Sequence, residues 1–178
     1  MISIIDYGLG NVLAFANIYQ RLNIDYRIVS NKDQLKNSKK IILPGVGSFD
    51  WAINLLDESG MRNTLDELVL ENKIPVLGIC VGMQIMAMHS EEGKSEGLGW
   101  INEEVIKFNI DHEKDTACLP HMGWNNVKSI KKNNLFADFE ADPLFYFLHS
   151  YFFPKKTESV IAKTEYNQVF ASAIKYEN

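Results

Sequence analysis

Residues 75–84, Pro-Val-Leu-Gly-Ile-Cys-Val-Gly-Met-Gln, place a cysteine between two glycines at the end of a short apolar run. The run Pro75–Ile79 predicts a buried strand, and the spacing of apolar residues over Gly82–His89 predicts a helix after it. The flanking glycines permit a tight strand-to-helix turn that exposes a nucleophile at a strained corner. Cys80 is therefore a candidate nucleophile. The alternative interpretation is a buried, inert cysteine between small residues.

The predicted helix start gives this cysteine a second chemical property. A helix N-terminus favours negative charge, so we expect a lowered thiol pKa at Cys80 and a larger thiolate fraction at neutral pH. The backbone N–H of Val81 is placed to donate a hydrogen bond to an oxyanion. Together these features indicate nucleophilic chemistry.

Outward from this turn, the first half of the chain alternates strands and helices. Predicted strands lie at Ile2–Ile5, Tyr26–Val29 and Lys40–Leu43, and predicted helices lie at 11–22, Ser48–Asp57 and Met61–Glu71. Asn11 is a plausible N-cap of the first helix. This order predicts an α/β fold with a mostly parallel central sheet flanked by helices. Functional residues of such sheets gather at the carboxyl ends of the strands.

The second half of the chain is rich in predicted strands instead. These are Trp100–Phe108, Phe145–Phe152, Ser159–Thr164 and Val169–Ile174, which predict an antiparallel C-terminal portion. No repeat or linker divides the sequence. We therefore expect one domain over residues 1–178.

Composition and charge exclude several classes of protein. The net charge of −5 argues against a generic nucleic-acid binder. The apolar runs are too short to span a bilayer, and no basic segment precedes the first run, as a signal peptide requires. The two cysteines, Cys80 and Cys118, form no CxxC pair and no disulfide framework. A reducing, cytoplasmic setting is the simplest interpretation.

A second glycine-rich segment follows another predicted strand. In Pro44-Gly45-Val46-Gly47-Ser48-Phe49, the two glycines allow backbone amides to approach a ligand closely. Residues 45–48, which we call the glycine loop, are thus a second source of oxyanion donors, although an ordinary turn explains them equally well. No Gly-Lys-Ser/Thr follows, so the segment is not a phosphate-binding loop.

Two segments place a histidine beside aromatic residues. His121 and His149 are both candidates for the base that a cysteine nucleophile needs, but a lone histidine near a strand is more often structural. Glu91 and Glu92 are typical of a solvated helix end. No cluster in the sequence has the spacing of metal ligands.

Taken together, these segments resemble the class I (triad-type) glutamine amidotransferases, which have a flavodoxin-like α/β fold. Within that family, the sequence is similar to the glutaminase subunits of imidazole glycerol phosphate synthase. The matching motifs run in order along the chain: Tyr7-Gly8-Leu9-Gly10-Asn11, Leu43-Pro44-Gly45-Val46-Gly47, Gly78-Ile79-Cys80-Val81-Gly82-Met83-Gln84, Gly97-Leu98-Gly99, Pro120-His121-Met122-Gly123-Trp124-Asn125 and His149-Ser150-Tyr151. The segment Pro120–Asn125 is the most specific of them.

The resemblance implies that Cys80 attacks the side-chain amide carbon of glutamine. Ammonia and a glutamyl thioester form, and water then releases glutamate. The implied oxyanion donors are backbone groups of Val46, Gly47 and Val81. The implied glutamine-binding residues are Gly45, Gln84, Glu92, His149, Ser150 and Tyr151. His149 is then part of the substrate wall rather than the base, and no cofactor is implied.

The resemblance also implies a partner, a cyclase subunit with a (β/α)₈ barrel that receives the ammonia. The implied products are imidazole glycerol phosphate and aminoimidazole carboxamide ribotide, within histidine biosynthesis. The implied interface residues are Asn11, Pro120, His121, Met122, Gly123, Trp124 and Asn125. The same glutaminase could serve the synthesis of amidino sugars, and its motifs do not separate the two acceptors.

One departure from the family pattern concerns the base. The family carries its catalytic His and Glu in a Phe-His-Pro-Glu segment, which residues 1–178 do not contain. We expect that segment to lie beyond Asn178, and we expect residues 1–178 alone to be nearly inactive. Two alternatives are a non-catalytic module that binds a partner and a cysteine hydrolase with another substrate. The hydrolase leaves the segment Pro120–Asn125 unexplained.

Overall fold

The computed structural model describes residues 1–111, 117–131, 133–139, 142–155 and 159–177. The chain forms two compact units, residues 1–102 and residues 103–177. Among the described helices, none has both the length and the apolar character needed to cross a membrane.

The first unit contains a parallel sheet whose strands are connected by helices. Its strands are β1 (Ile2–Ile5), β2 (Tyr26–Val29), β3 (Ile41–Gly45) and β4 (Val76–Cys80), in the spatial order β2-β1-β3-β4. Its helices are α1 (Val12–Arg21), α2 (Lys32–Leu35), α3 (Phe49–Glu58), α4 (Arg62–Asp66) and α5 (Val81–Gln84). A π-helical turn, Glu67–Glu71, continues α4, and a short strand, β5 (His89–Ser90), follows α5. The predicted parallel sheet with flanking helices is confirmed.

Apolar side chains from alternate strand positions hold this sheet to its helices. Ile4 and Ile42 pack against Val12 and Ala16 of α1. The side chain of Asn11 accepts a hydrogen bond from the backbone N–H of Ala14 at 3.1 Å, which confirms its predicted role as the N-cap of α1. Because β1, β3 and β4 run parallel, the loops that follow them meet at one edge of the sheet.

The second unit consists of antiparallel strands. These are β6 (Glu104–Lys107), β7 (His121–Asn126), β8 (Lys128–Ser129), β9 (Leu144–His149), β10 (Tyr151–Pro154), β11 (Val160–Tyr166) and β12 (Gln168–Ile174). Within this unit they lie in the order β6-β10-β12-β11-β8, while β7 and β9 pair separately as a two-stranded ribbon. Buried Phe108, Phe152 and Phe170 form its aromatic core. The predicted antiparallel C-terminal portion is confirmed.

The helix predicted over Gly82–His89 is wrong in its length, because α5 ends at Gln84. The backbone carbonyls of residues 85–88 do not continue a helical ladder. They accept hydrogen bonds from the backbone N–H groups of Leu98, Ile101, Gly99 and Gly97, respectively. The apolar spacing that predicted a helix reflects burial of Ile85–Ala87 in the core of this unit.

The strand predicted over Phe145–Phe152 is also wrong, since it is two strands that separate at Ser150. The first part, β9, pairs with β7, whereas the second part, β10, pairs with β6 and β12. The carbonyl of Ser150 accepts a hydrogen bond from the backbone N–H of Phe108 at 3.1 Å, which fixes the point where the chain changes sheets.

Candidate active site

Cys80 lies at the junction of β4 and α5 with backbone angles that non-glycine residues rarely adopt. Its φ is 57° and its ψ is −124°. Such a conformation is strained and persists only where the surroundings enforce it, which is common at functional sites. The residue is exposed and its thiol is free of any disulfide. The structure thus forms the strained, exposed corner that the sequence predicts.

Close backbone packing enforces this corner through the two flanking glycines. A Cβ atom at Gly82 would overlap the carbonyl oxygen of Leu43, and one at Gly78 would lie 2.6 Å from the carbonyl oxygen of Gly82. No side chain fits at either position without moving β3 or α5. The glycines therefore let the turn pack directly against the neighbouring strand.

The glycine loop begins at the last residue of β3, beside the cysteine. Gly45 is the register partner of Cys80, and a Cβ at Gly45 would lie 2.6 Å from the backbone nitrogen of Gly82. Val46 is 55% exposed, and Gly47 has a φ of +103°. The structure therefore brings the backbone amides of this loop and the cysteine turn to one edge of the sheet, as an oxyanion site requires.

Tyr7 supports the same edge from the loop after β1. Its buried hydroxyl donates a hydrogen bond to the carbonyl oxygen of Pro44 at 2.8 Å. Burial, and then the charge of Cys80, raise the pKa of this hydroxyl, so it remains a donor. The sequence identifies Tyr7 only as part of a motif, because a contact across 37 residues leaves no local pattern.

The environment of the Cys80 thiol contradicts the expected lowering of its pKa. The protein atoms packed around the thiol raise its pKa, and the charge of Glu92 raises it further. A backbone hydrogen bond from Val81 acts in the opposite direction, but it does not outweigh these two effects. Since α5 has only four residues, its dipole is small. The thiol is consequently protonated at neutral pH and needs a base.

Gln84 and Glu92 lie in the same unit as Cys80. Gln84 is buried. The carboxylate of Glu92 accepts a hydrogen bond from the backbone N–H of Phe49 at 2.8 Å, and the backbone N–H of Glu92 donates to the Ser90 hydroxyl at 3.1 Å. The interpretation of Glu92 as a merely solvated helix end is therefore wrong.

In the second unit, a directed chain of hydrogen bonds joins the two histidines. His149 Nδ1 lies 2.9 Å from the carbonyl oxygen of Tyr151, so Nδ1 carries the proton and Nε2 accepts. His121 Nδ1 lies 3.0 Å from that Nε2 and donates to it. His121 Nε2 then accepts from the side-chain amide of Asn125 at 3.3 Å. Every ring nitrogen of the pair has a partner.

Both histidines of this pair stay neutral near pH 7. Burial, with a smaller effect of neighbouring His149, lowers the pKa of His121 to about 4. Burial also lowers the pKa of His149, although its hydrogen bond to Tyr151 opposes this. The ring of His121 stacks on Tyr166 and Phe147, with centroids 4.0 and 4.8 Å away. These properties favour a structural pair over a free base.

The ribbon of β7 and β9 exposes an apolar face. Met122 is paired with Leu148 and Trp124 with Tyr146, and all four side chains are exposed. Trp124 is 70% exposed, and its ring meets Tyr146 edge-on at 5.7 Å. Contiguous exposed apolar surface of this kind marks an interaction site more often than a solvated face.

The remaining predicted residues are placed as follows. Asn11 and Pro120 are exposed, Gly123 and Asn125 are half-buried in β7, and the chain changes sheets at Ser150 beside Tyr151. Within the described ranges, no group of three or more His, Cys, Asp or Glu side chains is arranged to hold a metal ion.

The chain is similar to a family of known proteins, both in sequence and in fold. The family described as glutamine amidotransferase class-I matches residues 3–178. The chain is 49% identical over 179 residues to the imidazole glycerol phosphate synthase subunit HisH of Leptospira borgpetersenii, covering 100% of this chain and 88% of that protein. It is 48% identical to the HisH subunit of Bdellovibrio bacteriovorus, with the same coverage. A solved glutamine amidotransferase superposes with a TM-score of 0.67 at 17% identity, over 96% of this chain and 88% of that one, and so shares the fold.

Proposed function

This chain belongs to the class-I glutamine amidotransferase family, and we propose that it is the glutaminase subunit of an imidazole glycerol phosphate synthase. In this role it hydrolyses the side-chain amide of glutamine to glutamate and ammonia. The observation that carries the proposal is Cys80, held exposed at a φ of 57° beside the glycine loop, whose Gly45 is its register partner. The names of the Leptospira and Bdellovibrio relatives support the assignment to imidazole glycerol phosphate synthase.

In the first step, the sulfur of Cys80 bonds to the amide carbon of glutamine. The carbonyl electrons move onto the oxygen, and the backbone N–H groups of Val81 and of the glycine loop stabilise that oxyanion. When the carbonyl re-forms, the carbon–nitrogen bond breaks and ammonia leaves with the proton that the thiol gave up. Water then attacks the thioester carbon, and the same N–H groups stabilise the second oxyanion that forms. When the carbonyl re-forms, the carbon–sulfur bond breaks, a proton from the water returns to the sulfur, and glutamate leaves.

The proton transfers need a base, because the pKa of Cys80 is raised. His121 and His149 are poor candidates, since their ring nitrogens are engaged and their pKa values are lowered. The family carries its base in a Phe-His-Pro-Glu segment, and we assign the base to no residue of 1–178.

For substrate binding, we assign Glu92 and Gln84 to the polar groups of glutamine, with the backbone of Gly45 beside them. The carboxylate of Glu92 has the charge that complements the ammonium of an amino acid. By resemblance, His149 and the backbone groups of Ser150 and Tyr151 are also assigned to glutamine. These assignments rest on motif positions and on the polar character of each group.

The proposed partner is a cyclase subunit with a (β/α)₈ barrel, to which the ammonia passes. The exposed ribbon face supports a partner here, because it joins Trp124 and Met122 to two further apolar side chains. Aromatic anchors of this type commonly dominate protein interfaces. Asn11 and the rest of Pro120–Asn125 are assigned to the same interface. The complex would work in the cytoplasm.

The test is glutamate release by the protein as its own gene produces it, with and without the cyclase subunit. We expect release to depend on the partner and the barrel product to form from glutamine. No release at saturating partner would overturn the glutaminase assignment. Amination of a sugar by an alternative barrel partner, with no imidazole product, would instead overturn the histidine-pathway assignment.

A further inference from the structure

Helix α3 begins directly after the glycine loop, and its first turn lacks the usual local cap. Ser48 is the N-cap residue, yet its side chain makes no capping hydrogen bond. The backbone N–H of Phe49 donates instead to Oε2 of Glu92, 43 residues away, at 2.8 Å. A carboxylate from another segment therefore satisfies a donor that a helix start leaves open.

The carboxylate of Asp50, one residue further along α3, returns the contact. It accepts hydrogen bonds from the backbone N–H of Lys94, at 2.9 Å to Oδ2 and 3.1 Å to Oδ1, and from that of Ser95 at 2.9 Å. These hydrogen bonds, that of Lys94 first, lower the pKa of Asp50. Residues 91–95, Glu-Glu-Gly-Lys-Ser, which we call the acidic loop, are thus tied to the helix at two points.

Gly93 makes this close approach sterically feasible. A Cβ atom there would collide with the carboxylate of Asp50. A side chain at this position would push the Asp50 carboxylate away from the backbone N–H groups of Lys94 and Ser95. Asp50, Gly93 and Glu92 therefore form one reciprocal clamp between the helix and the loop.

The clamp lies next to both the glycine loop and the Cys80 thiol, so it can affect the reaction proposed for this site. Glu92 holds the residue that follows the glycine loop, and its charge reaches the Cys80 thiol strongly enough to raise the pKa there. A carboxylate has two oxygens, so Glu92 can accept from Phe49 and still meet a substrate ammonium. The orientation of this one side chain affects both the glycine loop and the substrate.

We propose that Asp50 is a positioning residue for glutamine hydrolysis, which acts by holding the acidic loop so that Glu92 both caps α3 and binds the ammonium of the substrate. The inference rests on the proposed function, since it takes glutamine as the ligand of Glu92. Asp50 itself touches neither the substrate nor the reacting atoms. Its effect is transmitted through the backbone of residues 92–95.

The first experiment measures steady-state glutamate release in the complex with the cyclase subunit. We expect Asp50→Ala and Gly93→Ala to raise the KM for glutamine about tenfold, while kcat falls less than KM rises. Asp50→Asn keeps one acceptor oxygen and should show a smaller rise. The matched control is Asp57→Asn, which removes an exposed carboxylate of the same helix that pairs with Arg62, and it should leave KM unchanged.

The second experiment measures the pH dependence of Cys80 alkylation by iodoacetamide in a Cys118→Ser background. Among the described residues, the titratable groups that interact electrostatically with Cys80 are the carboxylate of Glu92 and the hydroxyl of Tyr7, which stays protonated. We expect the midpoint of the profile to move to lower pH in Asp50→Ala, in the same direction as in Glu92→Gln, because the negative charge is no longer held near the thiol. A purely structural role of Asp50 would lower Tm without moving this midpoint.

The outcomes distinguish a failure of the positioning role of Asp50 from a failure of the proposed glutaminase function. If Asp50→Ala matches Asp57→Asn in both KM and alkylation midpoint, the positioning role is overturned. If the unaltered protein releases no glutamate at saturating partner, the proposed function is overturned instead. In that event, a midpoint shift in Asp50→Ala still supports the clamp on Glu92, and an unchanged midpoint overturns it.

Discussion

The cysteine turn of the first unit and the histidine pair of the second unit hold their reactive side chains in opposite physical states. Cys80 is exposed, has a strained backbone and carries a thiol whose pKa is raised. His121 is only 2% exposed, and His121 and His149 have every ring nitrogen hydrogen bonded within an aromatic cage. Both regions contain residue types that catalyse reactions. In the cysteine turn, a strained backbone conformation holds the reactive side chain exposed, whereas in the histidine pair the reactive groups are hydrogen bonded to neighbours.

This contrast shows how a chemical role differs from a structural one. A buried polar network whose members are all satisfied gives rigidity and has no free group to offer a substrate. A strained backbone conformation at a strand end costs free energy, and such conformations occur mainly at functional sites, where the surrounding structure enforces them. We therefore assign the reaction to Cys80 and the support of the second unit to the histidine pair.

The largest expected effect that tests this contrast is the loss of the nucleophile. Cys80→Ala should reduce glutamate release by more than about 1000-fold, because no covalent intermediate can form. The free energy of unfolding and the affinity for the partner should change little, since the side chain is exposed. Cys118→Ala is the matched control and should retain activity. Retained turnover in Cys80→Ala would remove this residue from its role.

The next effect concerns the packing that strains the turn. Gly82→Ala should lower the free energy of unfolding by roughly 3 kcal/mol or more, because its Cβ overlaps the Leu43 carbonyl. Gly47→Ala, which has open space but a φ of +103°, should cost only about 1 kcal/mol. Denaturant titration measures both. Equal losses would show that contact with β3 does not hold the turn.

The histidine pair predicts a dependence of stability on pH. The folded-state pKa of His121 is about 4, below the ordinary value of 6.5, so unfolding takes up a proton between these values. The contribution of neutral His121 to the free energy of unfolding is therefore fully present above pH 6.5. It is lost on acidification toward pH 4, which lowers the free energy of unfolding by at most about 3 kcal/mol. His121→Phe keeps a ring between Tyr166 and Phe147 and should flatten this slope. Equal slopes in the two proteins would contradict a buried, neutral His121.

A smaller effect is expected on the exposed face of the ribbon that carries the histidine pair. Trp124→Ala should weaken binding of the cyclase subunit by roughly 2 kcal/mol, about 30-fold, because large aromatic side chains often anchor interfaces. Trp51→Ala, which removes another exposed tryptophan, is the control. Titration calorimetry measures both affinities. Equal affinity of the two variants would exclude Trp124 as an anchor.

Much of the first unit could be predicted from sequence, because its signals are local. The apolar runs that became β1, β3 and β4, and the glycines around Cys80, lie within a few residues of the features they determine. The apolar spacing after Cys80 predicts too long a helix, because burial of Ile85–Ala87 imitates helical spacing. Local pattern therefore predicted the elements better than their lengths.

The features that could not be predicted depend on contacts across long stretches of chain. Asp50 meets Lys94 and Ser95 across 44 and 45 residues, and no residue near Asp50 indicates that partner. The sequence predicts the wrong direction for the pKa shift at Cys80 for the same reason, since the protein atoms packed around the thiol and the charge of Glu92 outweigh the effect of a four-residue helix. The sequence does not predict strand β7, because glycine and polar residues interrupt its apolar alternation.

The most direct test of the central claim is covalent labelling by an electrophilic glutamine analogue, read by peptide mass spectrometry. The measurement uses the protein as its own gene produces it, saturated with the cyclase subunit. We predict one adduct on Cys80, none on Cys118, and protection by excess glutamine. An unmodified Cys80, or equal labelling of both cysteines without protection, would contradict the assignment of Cys80 as the glutaminase nucleophile.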